Sequence, residues 1–223
     1  MVPRLTRSAF AAQHDLPDWR ILRTSIEATF RAASFPQAAG FIADIAALAE
    51  ELQHHPDVDL RYPSVVQVTL KTHAVGGLTT LDANLAQRIS TLAATGGIGV
   101  EQRATSRVEV AIDVLDISRV LPFWRAVLGY VDDAPGEAGV VDAIHDPMRI
   151  GPDVWFQQMD EARPQRNRIH IDVVVPDDQA KNRIAATLAA GGTQLSDGAA
   201  PAFWVLADVE GNEACVCTWQ GRD

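Results

Sequence analysis

Residues 65–73 read VVQVTLKTH, and this stretch decides the fold of the first half of the chain. Its apolar residues Val66, Val68 and Leu70 alternate with polar ones, so they share one face of an extended strand. His73 lies at the end of the polar face. The pattern predicts a strand that buries one face against helices and leaves the other face polar.

The segments around this strand supply those helices. Residues 37–52 and 81–92 each place an apolar residue at every third or fourth position, which is the period of a helix with one buried stripe. The repeating positions are Phe41, Ile45, Leu48 and Leu52 in the first segment and Leu81, Leu85, Ile89 and Leu92 in the second. Residues 19–22 and 25–33 are predicted as further strands, so the first half is an α+β domain.

The second half contains a weak internal repeat. The strands VEVAIDV, from Val108, and IHIDVVV, from Ile169, are each followed by an acidic turn, a helical segment and a glycine. Glu109 of the first strand and His170 of the second occupy equivalent positions. The repeat predicts two β-α-β-β-β modules side by side, with a central cleft that receives equivalent residues from both first strands.

A break between the halves lies in ATGGIGVEQRATSR, residues 94–107, which is rich in Gly, Thr and Ser and has no sustained period. A chain of 223 residues is long enough for two domains. We therefore predict a first domain over residues 1–97, a linker over residues 98–106 and a second domain over residues 107–223.

Charge and composition exclude several classes of protein. The chain carries 19 Lys and Arg residues against 29 Asp and Glu residues, a net charge of −10, so it lacks the basic surface that nucleic acid requires. No apolar run approaches the ~18 residues of a membrane-spanning helix, and the first residues lack a signal peptide. Its two cysteines, Cys215 and Cys217, are too close for an ordinary disulfide. We expect a cytoplasmic protein with a small-molecule ligand.

Three of the six histidines fall close together in the first half. His54 and His55 belong to EELQHHP, residues 50–56, where the proline ends the preceding helix, and His73 belongs to KTHAVGGLTTLD, residues 71–82. Imidazole has an unperturbed pKa of about 6.5, so several such groups around one cleft suit acid and base catalysis near neutral pH. The cluster marks a candidate active site.

Two other interpretations are open from the residues alone. A His-His-Pro sequence at a helix end can cap carbonyl groups, and Asp82 stands three residues after Thr79, where the acidic residue of a capping box lies. The histidines can also be metal ligands, although adjacent His54 and His55 lack the usual spacing of a zinc pair. On the residues alone, capping is the favoured interpretation and a metal site the least favoured.

A set of separated elements occurs in order within residues 15–93. The elements are His54-His55-Pro56, Tyr62, Thr72-His73, Gly76-Gly77-Leu78-Thr79, Asp82 and Leu85-Ala86. Together they resemble the pterin-4a-carbinolamine dehydratase family. The resemblance implies a four-stranded antiparallel sheet backed by helices, and loss of water from a 4a-hydroxytetrahydropterin with no metal or cofactor required.

The same resemblance implies roles for individual residues. The catalytic residues it implies are His54, His55, His73 and Asp82, and the substrate-binding residues are Tyr62 and Thr72. Asp82 is expected to orient or charge-stabilise an imidazole. The chain departs from the family at Val58, where an aromatic residue often follows the His-His-Pro, and the spacing from Tyr62 to His73 is one residue longer than usual.

The second half resembles another family. VEVAIDVLDISRVLPFWRAVLGY (108–130), NRIHIDVVVPD (167–177) and VLADVEGNEACV (205–216) are similar to a glyoxalase/bleomycin-resistance domain of the vicinal oxygen chelate superfamily, over residues 107–220. The positions of its metal ligands correspond to Glu109, Trp155, His170 and Cys215. An indole nitrogen only donates, so we expect no divalent metal there and a cleft, lined also by Gln157, that binds an unknown small organic molecule. A zinc ion held by a Cys215 thiolate is the alternative.

Two classes of function follow from these resemblances. The first is a pterin dehydratase with an accessory ligand-binding domain. The second is a small-molecule-sequestering protein, or a metal-dependent vicinal oxygen chelate protein, whose dehydratase-like half is an assembly scaffold. Retention of three histidines and Asp82 favours the enzyme, and both classes allow for a homo-oligomer.

Overall fold

The computed structural model describes residues 2–22, 24–101, 108–135, 139–162 and 169–220. The chain divides into two compact units, Met1–Arg107 and Val108–Asp223. Each unit has its own hydrophobic core.

The first unit is an α+β domain, as predicted. Its helices are α1 (Arg7–Gln13), α2 (Phe35–Leu52) and α3 (Thr80–Thr95). Its strands are β1 (Arg20–Leu22), β2 (Ser25–Arg31), β3 (Asp57–Arg61), β4 (Val65–Leu70) and β5 (Gly99–Val100). The strands pair antiparallel in the order β1-β2-β4-β3, and β5 adds to β2. The four-stranded antiparallel sheet is confirmed, with the short β5 as an addition.

The alternating strand residues and the two helical stripes meet in one core. Val66, Val68 and Leu70 of β4 are fully buried. The core positions of the helices include Phe41, Ile45, Leu85 and Ile89. The rings of Phe30 in β2 and Phe41 in α2 meet edge to face, with centroids 5.3 Å apart. The two periodicities therefore identify the faces that pack together.

The first unit extends past the boundary that composition predicts. Ile98 is buried in the first core, and Gly99 and Val100 pair with β2. The Glu101 N–H then donates to the Thr29 carbonyl at 2.7 Å. Residues 98–101 thus belong to the sheet and not to the predicted linker, because a glycine-rich composition does not reveal an edge strand of two residues. Residues 102–106 of that linker lie outside the described residues.

A first unit that ends at Glu101 is expected to be more stable than one that ends at Gly97, by about 2–4 kcal/mol. The shorter fragment loses the buried Ile98 side chain and the pairing of β5 with β2. Urea unfolding of the two fragments under the same conditions measures the difference in the free energy of unfolding. Equal midpoints and equal slopes would show that residues 98–101 contribute nothing to stability.

The second unit consists of two modules with the same topology. The first comprises β6 (Glu109–Val114), α4 (Ile117–Leu128), β7 (Val131–Asp132), β8 (Ala143–His145) and β9 (Asp153–Gln158). The second comprises β10 (Ile171–Val174), α5 (Ala180–Ala189), β11 (Thr193–Ser196), β12 (Phe203–Ala207) and β13 (Glu213–Cys217). The sheet orders are β6-β9-β8-β7 and β10-β13-β12-β11, and in each the first strand runs parallel to the last. The predicted β-α-β-β-β repeat is confirmed.

One face of each sheet packs into the core of the second unit. The core includes Ile112 and Val114 of β6, Val154 of β9, and Ala214 and Val216 of β13. Since successive strand residues point to opposite faces, the residues between them point away from the core. The positions on this outer face include Ala111, Trp155, Asp172 and Cys215.

Within the part of the chain that the structure describes, no helix combines the length and the apolar character needed to cross a membrane.

Candidate functional site

Asp82 is the centre of a buried hydrogen-bond network in the first unit. Its side chain is fully buried, and its Oδ1 lies 2.9 Å from Nε2 of His54. Its Oδ2 accepts from Thr72 Oγ1 at 2.8 Å and from the Thr79 N–H at 2.7 Å. A carboxylate only accepts, so Nε2 of His54 carries the proton, and Nδ1 is the ring nitrogen left with a lone pair. The network fixes the tautomer of a histidine that is 7% exposed.

The end of α2 determines where His54 lies. Gln53 adopts the left-handed conformation with φ of 49°, which stops the helix. The backbone N–H of His54 then bonds to the Ala49 carbonyl at 3.0 Å. This backbone bond caps the helix and leaves the imidazole of His54 for Asp82.

The turn after β4 determines where Thr72 and His73 lie. The strand ends at Leu70, so the prediction that it extends to His73 is wrong. The Thr72 N–H bonds to the Gly77 carbonyl at 3.0 Å, and the chain between them forms a 3-10 helix, His73–Val75. The tight turn replaces the last residues of the predicted strand, and it leaves the His73 side chain exposed.

Asp82 makes the contacts of a helix cap and also contacts one of the candidate histidines. Thr79 is the N-cap of α3, and its side chain and that of Asp82 form a capping box. The second carboxylate oxygen of Asp82 meets His54. One carboxylate therefore caps the start of α3 and binds the imidazole of His54 at the same time, so the helix cap does not exclude an active site.

His55 differs from His54 in burial and partner. Its Nε2 lies 2.9 Å from Oε1 of Glu50, and the two side chains are 58% and 71% exposed. Sequence reasoning missed Glu50, although its place in the last turn of α2, five residues before His55, is a signal for such a pair. Asp82 thus joins the His54-His55 segment to Thr72, the chain neighbour of His73.

The structure does not bring Tyr62 to the histidines. β3 and β4 pair as a hairpin in which Asp57 lies opposite Thr69 and Arg61 lies opposite Val65. Tyr62 follows Arg61 at the turn, where it is 93% exposed. The histidines lie at the other end of this hairpin, about 16 Å away at ~3.3 Å per residue. A motif gives the order of its residues and not the distances between them, so it does not show that Tyr62 lies beside the histidines.

A cavity of about 660 Å³ lies in the second unit. Four consecutive residues of β6, from Val110 to Asp113, line it, together with His170 and with residues of the turn between β12 and β13. Consecutive strand residues point to opposite faces, so the cavity lies along an edge of β6 and not over one face of the sheet. Trp124 of α4 also lines it, and its indole N–H donates to the buried Asp208 carboxylate at 3.0 Å.

The residues predicted to share a cleft are not gathered in this cavity. Only His170 of the predicted set lines it, while Glu109, Trp155, Gln157 and Cys215 are not among the lining residues. The prediction assumed that equivalent outward positions of the two modules face one space. The described cavity instead follows the strand edge, and Glu109 does not line it together with His170.

Cys215 belongs to a different group of side chains. The ligand atoms of His170, Asp172 and Cys215 all lie within 4.8 Å of one another. His170 and Asp172 are half exposed, with Nε2 and Oδ1 3.3 Å apart, while Cys215 is buried. Burial, reinforced by the Asp172 carboxylate, raises the pKa of the Cys215 thiol to about 11, so the thiol keeps its proton at neutral pH while no metal is bound.

A nitrogen, an oxygen and a sulfur ligand together fit zinc. The expectation that the second domain holds no metal rests on only two protein ligands, the carboxylate of Glu109 and the imidazole of His170. It left out Asp172, although the HID sequence of residues 170–172 places both polar side chains on one strand face. Asp172 is the member of this cluster that sequence reasoning missed.

Each unit is similar to known proteins. Residues 3–92 match the family model described as pterin 4 alpha carbinolamine dehydratase, and residues 109–217 match that of a glyoxalase-like domain. A relative from Chloroflexus aurantiacus named "Putative pterin-4-alpha-carbinolamine dehydratase" is 45% identical over 89 residues, covering 40% of this chain and 95% of the relative. A relative of the same name from Nocardia farcinica is 45% identical over 82 residues, covering 37% of this chain and 85% of the relative.

Solved structures of both kinds are also similar. A transcriptional coactivator/pterin dehydratase from Brucella melitensis is 35% identical, with a TM-score of 0.37, covering 41% of this chain and 99% of the other. A fosfomycin resistance protein from Mesorhizobium loti is 11% identical, with a TM-score of 0.42, covering 50% of this chain and 90% of the other. Both resemblances seen in the sequence are confirmed by the family matches.

Proposed function

Because the chain belongs, through residues 3–92, to the pterin-4-alpha-carbinolamine dehydratase family, we propose that its first unit removes water from a 4a-hydroxytetrahydropterin and releases a quinonoid dihydropterin. The observation that carries the proposal is the buried pair of His54 and Asp82, which joins two histidine-bearing segments. An assembly scaffold needs no such pair, so the arrangement favours an enzyme.

The proposed dehydration needs one acid and one base. The bond between C4a and the hydroxyl oxygen breaks, and an acid gives that oxygen a proton so that it leaves as water. A base takes the proton of a ring N–H, and the electron pair of that bond forms the C=N bond of the product. No electron acceptor takes part, so histidines suffice and the scheme requires no cofactor.

In this proposal His54 is the base and His73 is the acid. Asp82 holds the proton of His54 on Nε2, so Nδ1 has the lone pair that accepts a proton. The imidazolium that forms is stabilised by the same carboxylate, as a buried acid stabilises histidine in hydrolase triads. His73 is exposed on its 3-10 helix and so is open to substrate, and Thr72 ties its segment to Asp82.

A dehydratase assay tests the proposal directly. Synthetic 4a-hydroxytetrahydropterin is mixed with the full-length protein, and formation of the quinonoid dihydropterin is followed against the uncatalysed background. We expect a saturable acceleration. Saturable binding of the pterin without acceleration would support the assembly or sequestering function instead, and would contradict an enzyme.

His55→Ala is expected to raise KM about tenfold with kcat nearly unchanged, which corresponds to the loss of about 1.4 kcal/mol of binding. His55 is exposed and paired with Glu50, so it is placed to contact substrate and not to hold a buried proton. Steady-state kinetics separate the two parameters, and Glu50→Gln is the matched variant that changes only the partner. A fall in kcat at constant KM would place His55 in the chemical step.

For the second unit, we propose that the glyoxalase-like domain binds a small organic molecule. Its cavity of about 660 Å³ falls within the ~300–1,000 Å³ of ordinary ligand sites. Trp124 lines the cavity, so its fluorescence reports on occupancy. A panel of small carboxylic acids, amines and pterins that leaves the fluorescence of the protein unchanged, compared with a Trp124→Phe variant, would count against this proposal.

A further inference from the structure

We infer that Arg4 binds an anionic group on the substituent of the pterin, so that the first unit prefers a pterin whose side chain ends in a phosphate or a carboxylate. The inference rests on the dehydratase activity proposed above and adds the class of substrate to it. Arg4 lies outside residues 15–93, which carry the resemblance to the family, so the motif gives it no role.

The segment that precedes α1 is held beside the turn that follows β4. The Leu5 N–H donates to the Leu78 carbonyl at 2.8 Å, and Leu5 packs against the first core. Leu5 and Leu78 are antiparallel partners, so the next opposed residues, Arg4 and Thr79, point to one common side. Oγ1 of Thr79 lies 2.8 Å from Oγ1 of Thr72. Arg4 therefore lies on the side of the candidate substrate-binding residue Thr72.

Gly77 leaves room for the side chain of Arg4. A methyl group added at Gly77 would lie 2.5 Å from Nε of Arg4 and 3.0 Å from its Cδ, so the stem of the arginine packs directly on this glycine. Gly77 pairs with Thr72, and the two residues close the turn that contains His73. The stem of Arg4 thus packs on the turn that carries the proposed acid.

The guanidinium of Arg4 has no partner within the described residues. No described carboxylate lies within 4.0 Å of it, and it donates to no described acceptor. Other arginines of the first unit do have partners, as Arg20, Arg31, Arg61 and Arg88 show. In a chain of net charge −10, an arginine beside the candidate site without an acidic partner is available to an anion that a ligand supplies.

The chemistry of the guanidinium indicates what it binds. Its planar set of N–H donors matches two oxygens of a carboxylate or a phosphate. The proposed reaction assigns its two proton transfers to His54 and His73, so it needs no arginine. A tetrahydropterin ring is uncharged at neutral pH, so a negative charge on the substrate belongs to the substituent. Arg4 is exposed, which leaves its guanidinium accessible to such a group.

Substrates that differ only in the charge of the substituent test the inference. The full-length protein is given 4a-hydroxytetrahydropterins whose substituent ends in a neutral hydroxyl, a phosphate ester or a carboxylate. At low salt, kcat/KM for the anionic substrates is expected to exceed that for the neutral one by at least about tenfold. The difference should shrink as the ionic strength rises, because salt screens an exposed ion pair. A preference for one anion alone would identify the group that Arg4 binds.

Variants show whether Arg4 causes the preference. Arg4→Gln is expected to reduce the ratio of kcat/KM between anionic and neutral substrates to less than about twofold, and Arg4→Lys to keep part of it. Gly77→Ala retains the arginine but displaces its stem, so it should also lower the ratio. Arg61→Gln is the matched control, since it removes a positive charge at the far end of the β3–β4 hairpin and should keep the wild-type ratio.

Equilibrium binding separates this inference from the proposed reaction. Dihydropterins with the same substituents have no hydroxyl to lose, and their fluorescence reports binding. The anionic ones are expected to bind wild type about tenfold more tightly than Arg4→Gln. If this holds but no pterin is dehydrated, the proposed reaction is wrong and the anion site stands. If pterins are dehydrated but neither turnover nor binding depends on the charge of the substituent, or if Arg4→Gln keeps the preference, the inference is overturned. Absence of binding by every pterin would overturn both.

Discussion

His54→Ala and His73→Ala are each expected to lower the turnover of a 4a-hydroxytetrahydropterin by at least ~100-fold at saturating substrate, which is the usual contribution of a positioned acid or base. His54 has its proton fixed on Nε2 by Asp82, and His73 is open to substrate beside Thr72. Removing either leaves one of the two proton transfers to water. His170→Ala, in the other unit, is the matched control and should keep full turnover.

The stability of the two variants should differ. His54 is 7% exposed, and its loss leaves Oδ1 of the buried Asp82 without its imidazole, at a cost of about 3 kcal/mol. His73 is exposed, so His73→Ala should leave the melting temperature within a degree or two of wild type, roughly the ±0.5 kcal/mol of a surface substitution. Thermal unfolding and kcat are measured on the same samples. Near-normal turnover in both variants would remove these histidines from the chemistry.

The parts of the fold that the sequence predicts are those with sustained periodicity. β4 alternates over six residues, and the stripes of α2 and α3 repeat over about three turns, so each pattern specifies one buried face. β3 offers only Val58 and Leu60 to the core, and α1 buries only Phe10. Segments with so few buried positions carry too short a pattern to specify a face alone, and the partners they pair with complete their structure.

The candidate site also has parts that the sequence predicts and parts that it does not. His54, His73 and Asp82 follow from a motif whose chemistry is visible in residue types. The structure joins His54 and Thr72, the chain neighbour of His73, to the carboxylate of Asp82. Tyr62 belongs to the same motif but lies at the far turn of a hairpin. The length of the hairpin separates Tyr62 from the histidines, and a motif gives only the order of its residues.

The second unit shows what an internal repeat predicts and what it leaves out. Glu109 and His170 are equivalent because the two modules have the same strand order. Asp172 and Cys215 become neighbours only through the register of β10 against β13. Register between strands 43 residues apart depends on the packing of the whole sheet, so the cluster is visible only in the structure.

Asp82→Asn is expected to lower turnover at least ~100-fold while keeping most of the stability that Asp82→Ala loses. The Thr79 N–H only donates, so it holds the amide oxygen of an introduced asparagine at the Oδ2 position. The amide nitrogen then faces His54 Nε2 and donates to it. His54 must carry its proton on Nδ1, and the lone pair needed by the base is no longer there.

Asp82→Ala removes both oxygens. The free energy of unfolding should fall by about 3–5 kcal/mol, since the buried His54 and the N–H of Thr79 lose their acceptor. Ser34→Ala is the matched control for a lost helix cap: Ser34 accepts from the Gln37 N–H at the start of α2, and its loss should cost about 1 kcal/mol with turnover unchanged.

Urea unfolding and kcat, measured for all three variants, separate the two roles of the carboxylate. The cap needs only an acceptor at Oδ2, which asparagine supplies, whereas the tautomer of His54 needs an acceptor at Oδ1, which asparagine lacks. Wild-type turnover in Asp82→Asn would therefore mean that Asp82 acts as a helix cap alone and that His54 is not the base. If Asp82→Asn loses turnover but keeps the helix cap, a loss of stability does not explain the result. The role of Asp82 in turnover would then be to hold the proton of His54 on Nε2.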